Sequence, residues 1–375
     1  MKTVIPIIMQ PDTEKYFWVR SVLDGIRSSA ARYDYELLVA DRDIISKGFL
    51  PKNRPVLVNG HMAEWLSDTA VFLWLNGYIP IIISAGTAIL RRCRYSSVYF
   101  DLASGVQDIV DYCIAGGRRN IALFGVRSRV SGDWEKVQLF RRSAAECGLE
   151  EFPVYYLEDT LEKCMDRFIE AFFENNIDAI VCANDSVAIL LIQEMLKNGI
   201  KIPEDVYVVG VGDSVAGRLI SVPLISLNVD YFEMGKQAVR LWRYIYRDGA
   251  DTDISVAISC KLNTKNVGGE PLKRQKYEEH TFTDSGEGLW NDYFYEDEKV
   301  QRLLKLETLL RDCDELDLAL LEAIKNEKTD EQIADEVWLS SRAVRYRISK
   351  MMKKADMQGR SEIVALMREF DIWEK

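Results

Sequence analysis

Up to about residue 230, apolar residues recur in short continuous runs separated by longer amphipathic stretches. The runs cover residues 4–8, 35–40, 55–58, 79–84, 120–125, 177–183, 206–211 and 224–227. Each has the length of a strand, and a run that is apolar throughout, rather than at every second position, predicts a strand covered on both faces, as in parallel sheets. Between them the period changes to that of helices, at 17–31, 105–115, 138–147, 165–175, 185–198 and 234–246. In 185–198, Ala188, Leu191, Ile192, Met195 and Leu196 fall on one face at i, i+3, i+4, i+7 and i+8, with Gly199 placed to end the helix. Strand–helix alternation of this kind predicts open α/β sheets joined by right-handed crossovers.

The pattern breaks after residue 265. Gly268 and Gly269 open a polar, Glu-rich stretch in which Trp290, Tyr293, Phe294 and Tyr295 stand as isolated aromatics expected to pack on something. This reads as a linker over 266–312 with a helical end, because Leu303, Leu306 and Leu310 repeat on one face. The final module, 313–375, is all-α. It carries an opening helix at 314–326, a short helix at 329–336, a tight turn, a long helix at 341–354 and a last helix at 361–370.

Composition narrows the class. A chain of 375 residues, 48% hydrophobic and 10% aromatic, can bury more than one core. The first residues are apolar only as far as Pro11 and Asp12, and no run approaches the roughly 18 apolar residues of a membrane span, so the chain is expected to be soluble and unprocessed. Seven cysteines, odd in number, scattered and never in CxxC, are expected as reduced thiols, which places the protein in the cytoplasm. His61 and His280 are the only histidines. With no P-loop, HExxH, GxSxG or metal-spaced Cys/His cluster, the chain is not expected to be an enzyme or to carry a metal or cofactor.

Charge is unevenly placed. The net charge is −11, yet between residues 342 and 360 seven bases face one acid, Asp356. On a helical wheel of 341–354 and its continuation, Val344, Ile348, Met351, Met352 and Ala355 form one side, and Arg342, Arg345, Tyr346, Ser349, Lys350 and Lys353 the other. A packing face opposite a cationic face, preceded by a short helix and by Ser340 as cap, is the order of a helix-turn-helix DNA reader. The stretch 329–364 resembles the LuxR-type helix-turn-helix through Ile333, Ala334, Leu339, Ser340, Val344, Arg345, Ile348, Met352, Lys354, Arg360 and Glu362. The resemblance implies double-stranded DNA as partner, with base contacts from Arg345, Tyr346 and Ser349, support from Ser340, Arg342, Lys350 and Lys353, and a dimer contact along 361–370. Ala343 and Arg347 stand where the family usually has threonine and histidine, so base preference does not transfer.

In an open α/β sheet, ligands sit outside the carboxyl ends of the strands. Asn184 and Asp185 follow one strand and open a helix; Asp213 follows another. Gly210 and Gly212 begin a dinucleotide fingerprint that fails at Val215. Residues 1–265 resemble the LacI/GalR ligand-binding domain, a two-lobed periplasmic-binding-protein-like fold. The resemblance rests on 180–188, on 199–210 with its Ile202, Pro203, Glu204 and Asp205, on 222–227, and on Met234, Gly235 and Lys236. It implies one lobe from about 1–100 and 230–250, a second from about 101–228, and a sugar or similar small polar effector held by them. Carried over by position, the effector contacts are Asn184, Asp185, Asp213, Asp101 and Lys136. Phe17, Trp18 and Trp134 remain open between core aromatics and plates for a sugar. Gly212 replaces the first of the family's usual aspartate pair, and Lys136 stands where the family has arginine. The family's N-terminal helix-turn-helix is expected to be absent and its role taken by the C-terminal one, with coupling through 266–312. The reading is a homodimeric, ligand-responsive regulator. The alternative keeps DNA binding and makes the front domain a degenerate pocket serving dimerisation or partner docking.

Overall fold

A computed structural model describes residues 2–14, 16–48, 50–84, 93–149, 152–222, 224–249, 252–264 and 293–373. The chain begins β1 (Thr3–Met9), α1 (Phe17–Arg32), β2 (Tyr35–Val39), α2 (Arg42–Ser46), β3 (Pro55–Asn59), α3 (Ala63–Leu75), β4 (Ile79–Ile83), β5 (Ser96–Asp101) and α4 (Leu102–Ala115). It continues β6 (Ile121–Val126), α5 (Ser131–Glu146), β7 (Val154–Tyr156), α6 (Leu161–Glu174), β8 (Ala179–Cys182), α7 (Asp185–Lys197), β9 (Tyr207–Val211), α8 (Val215–Leu219) and β10 (Ile225–Asn228). Then come α9 (Tyr231–Asp248), β11 (Ser255–Ser259), β12 (Lys261–Asn263) and the helices α10 (Tyr293–Glu296), α11 (Glu298–Leu310), α12 (Glu315–Lys325), α13 (Asp330–Glu336), α14 (Ser341–Lys354) and α15 (Arg360–Glu369).

Two six-stranded sheets result, ordered β11-β5-β4-β3-β1-β2 and β12-β10-β9-β8-β6-β7. Their paired central strands are parallel, as the continuous apolar runs predicted: β3 lies between β1 and β4, with Leu57 opposite Ile7 and Ile81, and β8 pairs β6 and β9. β3, β6 and β8 are buried at every position. No helix among the described residues is long and apolar enough to cross a membrane. All seven cysteines are free thiols, four of them buried.

By its contacts the chain divides into two units, 1–112 with 126–152 and 228–262, and 113–125 with 153–227 and 263–375. The division differs from the expected lobes in three places, the first being that residues 101–112 fall in the first unit. Residues 126–152 join the first unit because Val130 forms a bridge with Met62, the Ser131 amide donates to the His61 carbonyl at 2.9 Å, and the Ser131 and Ser84 hydroxyls are 2.9 Å apart. The C-terminal helices join the second unit instead of forming a module apart, for reasons given below. The aromatic stretch expected to act as a linker lies mostly outside the described residues; Phe294 and Tyr295, at its end, are buried.

In the first unit, α1 crosses α9 at two glycines. A Cβ on Gly235 would fall 2.0 Å from the Val22 carbonyl oxygen, and one on Gly25 equally close to that of Phe232, so only hydrogen fits at either position. Behind this crossing, the fully buried Trp242 donates from Nε1 to the Pro55 carbonyl at 2.8 Å.

Candidate functional site

The sequence-predicted effector residues fall at the carboxyl ends of strands in both units. In the second unit, Asn184 caps α7 by accepting from the Val187 amide at 3.0 Å. Asp185, the next residue, turns inward: it is 3% exposed, Oδ2 accepts from the Ser214 amide and Oδ1 from the Ser226 hydroxyl, each at 2.6 Å. Gly210 makes this possible, since a Cβ there would lie 2.1 Å from Asp185 Oδ1. The glycine weighed as part of a nucleotide fingerprint is instead the floor under a carboxylate. Burial pushes the Asp185 carboxyl up to about 6. Both oxygens of Asp185, expected as an effector contact, are spent on the loop they position.

Asp213 sits in that loop with φ 48, a conformation asparagine and aspartate tolerate best among residues with side chains. Its amide donates to the Ser226 hydroxyl at 2.9 Å, Oδ2 accepts from Arg218 at 3.1 Å and Oδ1 from Asn263 at 3.0 Å. Arg218 and Asn263 were missed from the sequence because neither lies in a recognisable motif.

In the first unit, Asp101 accepts from the amide and hydroxyl of Ser104 at 3.2 and 2.7 Å, which makes it the cap of α4. Lys136 is buried and pairs with Asp133 at 2.9 Å; Asp133 in turn accepts from the amide and Nε of Arg127 at 3.2 Å. Burial pushes the Asp133 carboxyl up, and Lys136 and Arg127 more than reverse this, holding it below its ordinary value. The guanidinium that Lys136 was expected to lack is thus supplied by Arg127 from the end of β6. Trp134 is half-buried on the first turn of α5.

Phe17 and Trp18 are half-buried at the start of α1. Their rings lie 5.8 and 6.1 Å from that of Tyr231, and Trp18 stands edge-on to His61 at 6.0 Å. His61 carries a signal that sequence did not give. It follows β3, its backbone amide is held by the Gln10 side chain at 3.0 Å, and its ring is 7% exposed with neither nitrogen hydrogen-bonded. Burial, with Arg127 adding to it, lowers the imidazole to about 3, so it is neutral. Asn59 Oδ1, two residues earlier, is also buried and unpaired. Orphaned polar atoms beside half-buried aromatics mark a place for a polar ligand or ordered water. No cluster of metal-ligating side chains occurs among the described residues.

The helical end of the second unit forms the second site. Thr329 and Gln332 build a capping box at the start of α13, and Ser340 caps α14 by accepting from the Ala343 amide at 3.2 Å. Val344, Ile348 and Met351 of α14 are buried, while Arg342, Arg345, Tyr346, Ser349, Lys350 and Lys353 are exposed, as the wheel predicted. Arg347, at the family's histidine position, reaches Asp314 and Asp317 at 3.0 and 2.6 Å and ties α14 to α12. The apolar side of α15, Ile363, Leu366 and Met367, is buried inside the protomer, where α15 packs on α11 and α12, and Ser361, Ala365 and Arg368 of the same helix are exposed.

These helices are seated on the second sheet's loops. Trp373 donates its amide to the Leu219 carbonyl at 3.0 Å, Ile372 bridges Ile220, and the Gln193 side chain bonds the Glu369 carbonyl. At the centre is Glu307 of α11, 3% exposed, which accepts from the Ala216 amide at 3.0 Å. Ser214 caps α8 by accepting from the Gly217 amide at 3.0 Å, and burial raises the Glu307 carboxyl to about 7.

Comparison with known proteins places these features. Residues 110–265 match the family model of the periplasmic binding protein-like domain. Over 243 residues the chain is 23% identical to the HTH-type transcriptional regulator RegA of Clostridium saccharobutylicum, covering 62% of this chain and 72% of that one. Over 252 residues it is 29% identical to the HTH-type transcriptional repressor PurR of Vibrio parahaemolyticus, covering 63% and 72%. The structure of the transcriptional regulator CelR in complex with cellobiose superposes with a TM-score of 0.59 at 18% identity, over 71% of this chain and 85% of that one, which shows the shared fold.

Proposed function

We infer that this chain is a ligand-responsive transcription regulator of the LacI/GalR kind, built on a periplasmic-binding-protein-like domain and reading DNA through its C-terminal helices. The carrying observation is α14: its apolar face is packed, its cap is formed, and Arg342, Arg345, Tyr346, Ser349, Lys350 and Lys353 all stand in solvent on the opposite side. Such a helix, following α13 across a tight turn, presents forked and point donors to the major groove and neutralises phosphates. The LuxR-type pattern and the regulators among the relatives support this. The protein acts as a homodimer in the cytoplasm, and its effector is a sugar or similar small polar molecule. Its candidate contacts are Asn184 and Asp213 in the second unit and Lys136, Trp18, Phe17, Trp134 and Asp101 in the first, where His61, Asn59 and Arg127 are added.

A second reading has its own support. Asp185 and Asp213 are satisfied within the protein, and Gly212 has removed one carboxylate, so the front domain serves dimerisation or partner docking and binds no effector. One experiment separates the two. Affinity for a labelled duplex, selected by the protein from a random pool, is measured with and without cellobiose, ribose and a panel of other sugars. The first reading expects one sugar to change the affinity at least fivefold and Asn184→Ala to abolish that response while leaving sugar-free affinity intact. Duplex binding that no sugar alters favours the second.

A further inference from the structure

Trp338 lies in the turn between α13 and α14 and is 93% exposed, and its side chain has no hydrogen bond, ion pair or ring contact among the described residues. Its backbone is in the left-handed region, φ 56. The turn demands this: the Val337 amide donates to the Ile333 carbonyl and the Leu339 amide to that of Ala334, both at 3.0 Å, closing the end of α13 in the way that favours glycine or asparagine at the intervening residue. Most other non-glycine residues with positive φ are aspartate or asparagine, as at Asp12, Asp34, Asn53 and Asn176. Trp373, also at positive φ, is half-buried and anchored by its amide to Leu219. Trp338 therefore bears both a strained backbone and an indole in water, and nothing among the described residues offsets either.

Its surroundings identify what does. Ser340, two residues on, is exposed, and then come Arg342, Arg345, Tyr346 and Lys350; Tyr346 is itself 70% exposed. The exposed bases Arg342, Arg345, Lys350 and Lys353, on a chain of net charge −11, select a polyanion as the partner of this surface. Exposed aromatics interleaved with cations fit one whose charged backbone lies beside flat apolar rings and sugars. We propose that Trp338 contacts double-stranded DNA, its indole packing against sugar or base at the edge of the groove that α14 enters, and that it supplies affinity which does not depend on salt. This rests on the DNA-reading function proposed above and adds to it a contact outside the recognition helix.

The test uses the intact chain and the selected duplex. Trp338→Gly is expected to lower affinity by about tenfold, a typical effect of removing an aromatic that stacks on a nucleic acid. It leaves the slope of log K against log salt unchanged, because no charge is removed, and leaves the melting temperature unchanged or higher, because glycine relieves the positive φ. Trp338→Phe recovers most of the affinity. Arg345→Ala, as comparator, lowers the slope by about one. The proposal is overturned if Trp338→Gly binds as tightly as wild type, which assigns the indole to a protein partner, or if its affinity falls together with its melting temperature, which makes the residue structural. If wild type selects no duplex, the DNA-reading function fails and the contact fails with it.

Discussion

At the scale of single residues, the informative groups are buried ones that titrate. Glu307 and Asp185 are both almost fully buried, and both carboxyls sit above their ordinary values, at about 7 and about 6, from 4.5 and 3.8. A folded pKa above the unfolded one means that the native state binds its proton more tightly. The resulting stability is complete below about pH 4 and is lost as pH rises to about 7. His61 works in the opposite sense: lowered from 6.5 to about 3, it removes stability as pH falls below 6.5. Glu307→Gln keeps an acceptor for the Ala216 amide without the charge. Its urea midpoint should match wild type near pH 4 and exceed it at pH 8, by up to about 3 kcal/mol of unfolding free energy. Equal midpoints at pH 8 would show that the carboxylate is not strained by burial. Of this residue chemistry, sequence disclosed Asn184 as a cap, because capping is local. It could not disclose that Asp185 points down onto Gly210 and Ser226, since those partners lie 25 and 41 positions away.

At the scale of elements, what could be read depended on how each element meets its neighbours. α9 has one apolar face and was legible, and α7 was found by the same period although it is buried on every side from Asp185 to Ile192; α3 was not, because Trp74 and Leu75 at its exposed end blur the period set by Leu66, Ala70 and Leu73. The central strands were found as continuous runs. β5 alternates buried and half-buried residues, and β7, β11 and β12 are short or mostly exposed, so none forms such a run. Packing between helices was hidden as well. Gly235 opens as an ordinary residue of an amphipathic helix, yet it lets α9 approach α1 until Val22's carbonyl occupies the space of a side chain. Gly235→Ala should force these helices apart and cost about 1–3 kcal/mol or more, although alanine is the better helix former. Denaturant unfolding measures it, and a stabilised variant would mean that the crossing is looser than described.

At the scale of the molecule, the contrast of an acidic chain with one cationic helix was visible in the charges, and so was the order of an α/β front followed by the all-α end that carries the proposed DNA reader. The seating of that reader was not, because it depends on backbone groups of α8 and of residues 219–220 meeting α11 and residues 369–373. Coupling was expected to run through 266–312, and Glu307 lies in that stretch. Its carboxylate holds α8 by the Ala216 amide, and in the loop before α8 the Ser214 amide donates to Asp185, next to Asn184. A change at Asn184 or Asp213 thus has a short path of hydrogen bonds to α11, which packs on α14 and α15. If this seat joins the reader to the second sheet, the two unfold together. Glu307→Lys puts a buried cation against the amide of Ala216 and near Arg218, where attraction becomes repulsion. Calorimetry should then resolve the single transition of the second unit into two, with the reader melting first, while the variant keeps most of its affinity for duplex DNA because the exposed face of α14 is untouched. A variant that still unfolds in one step would locate the joint elsewhere, in the bridge between Ile220 and Ile372.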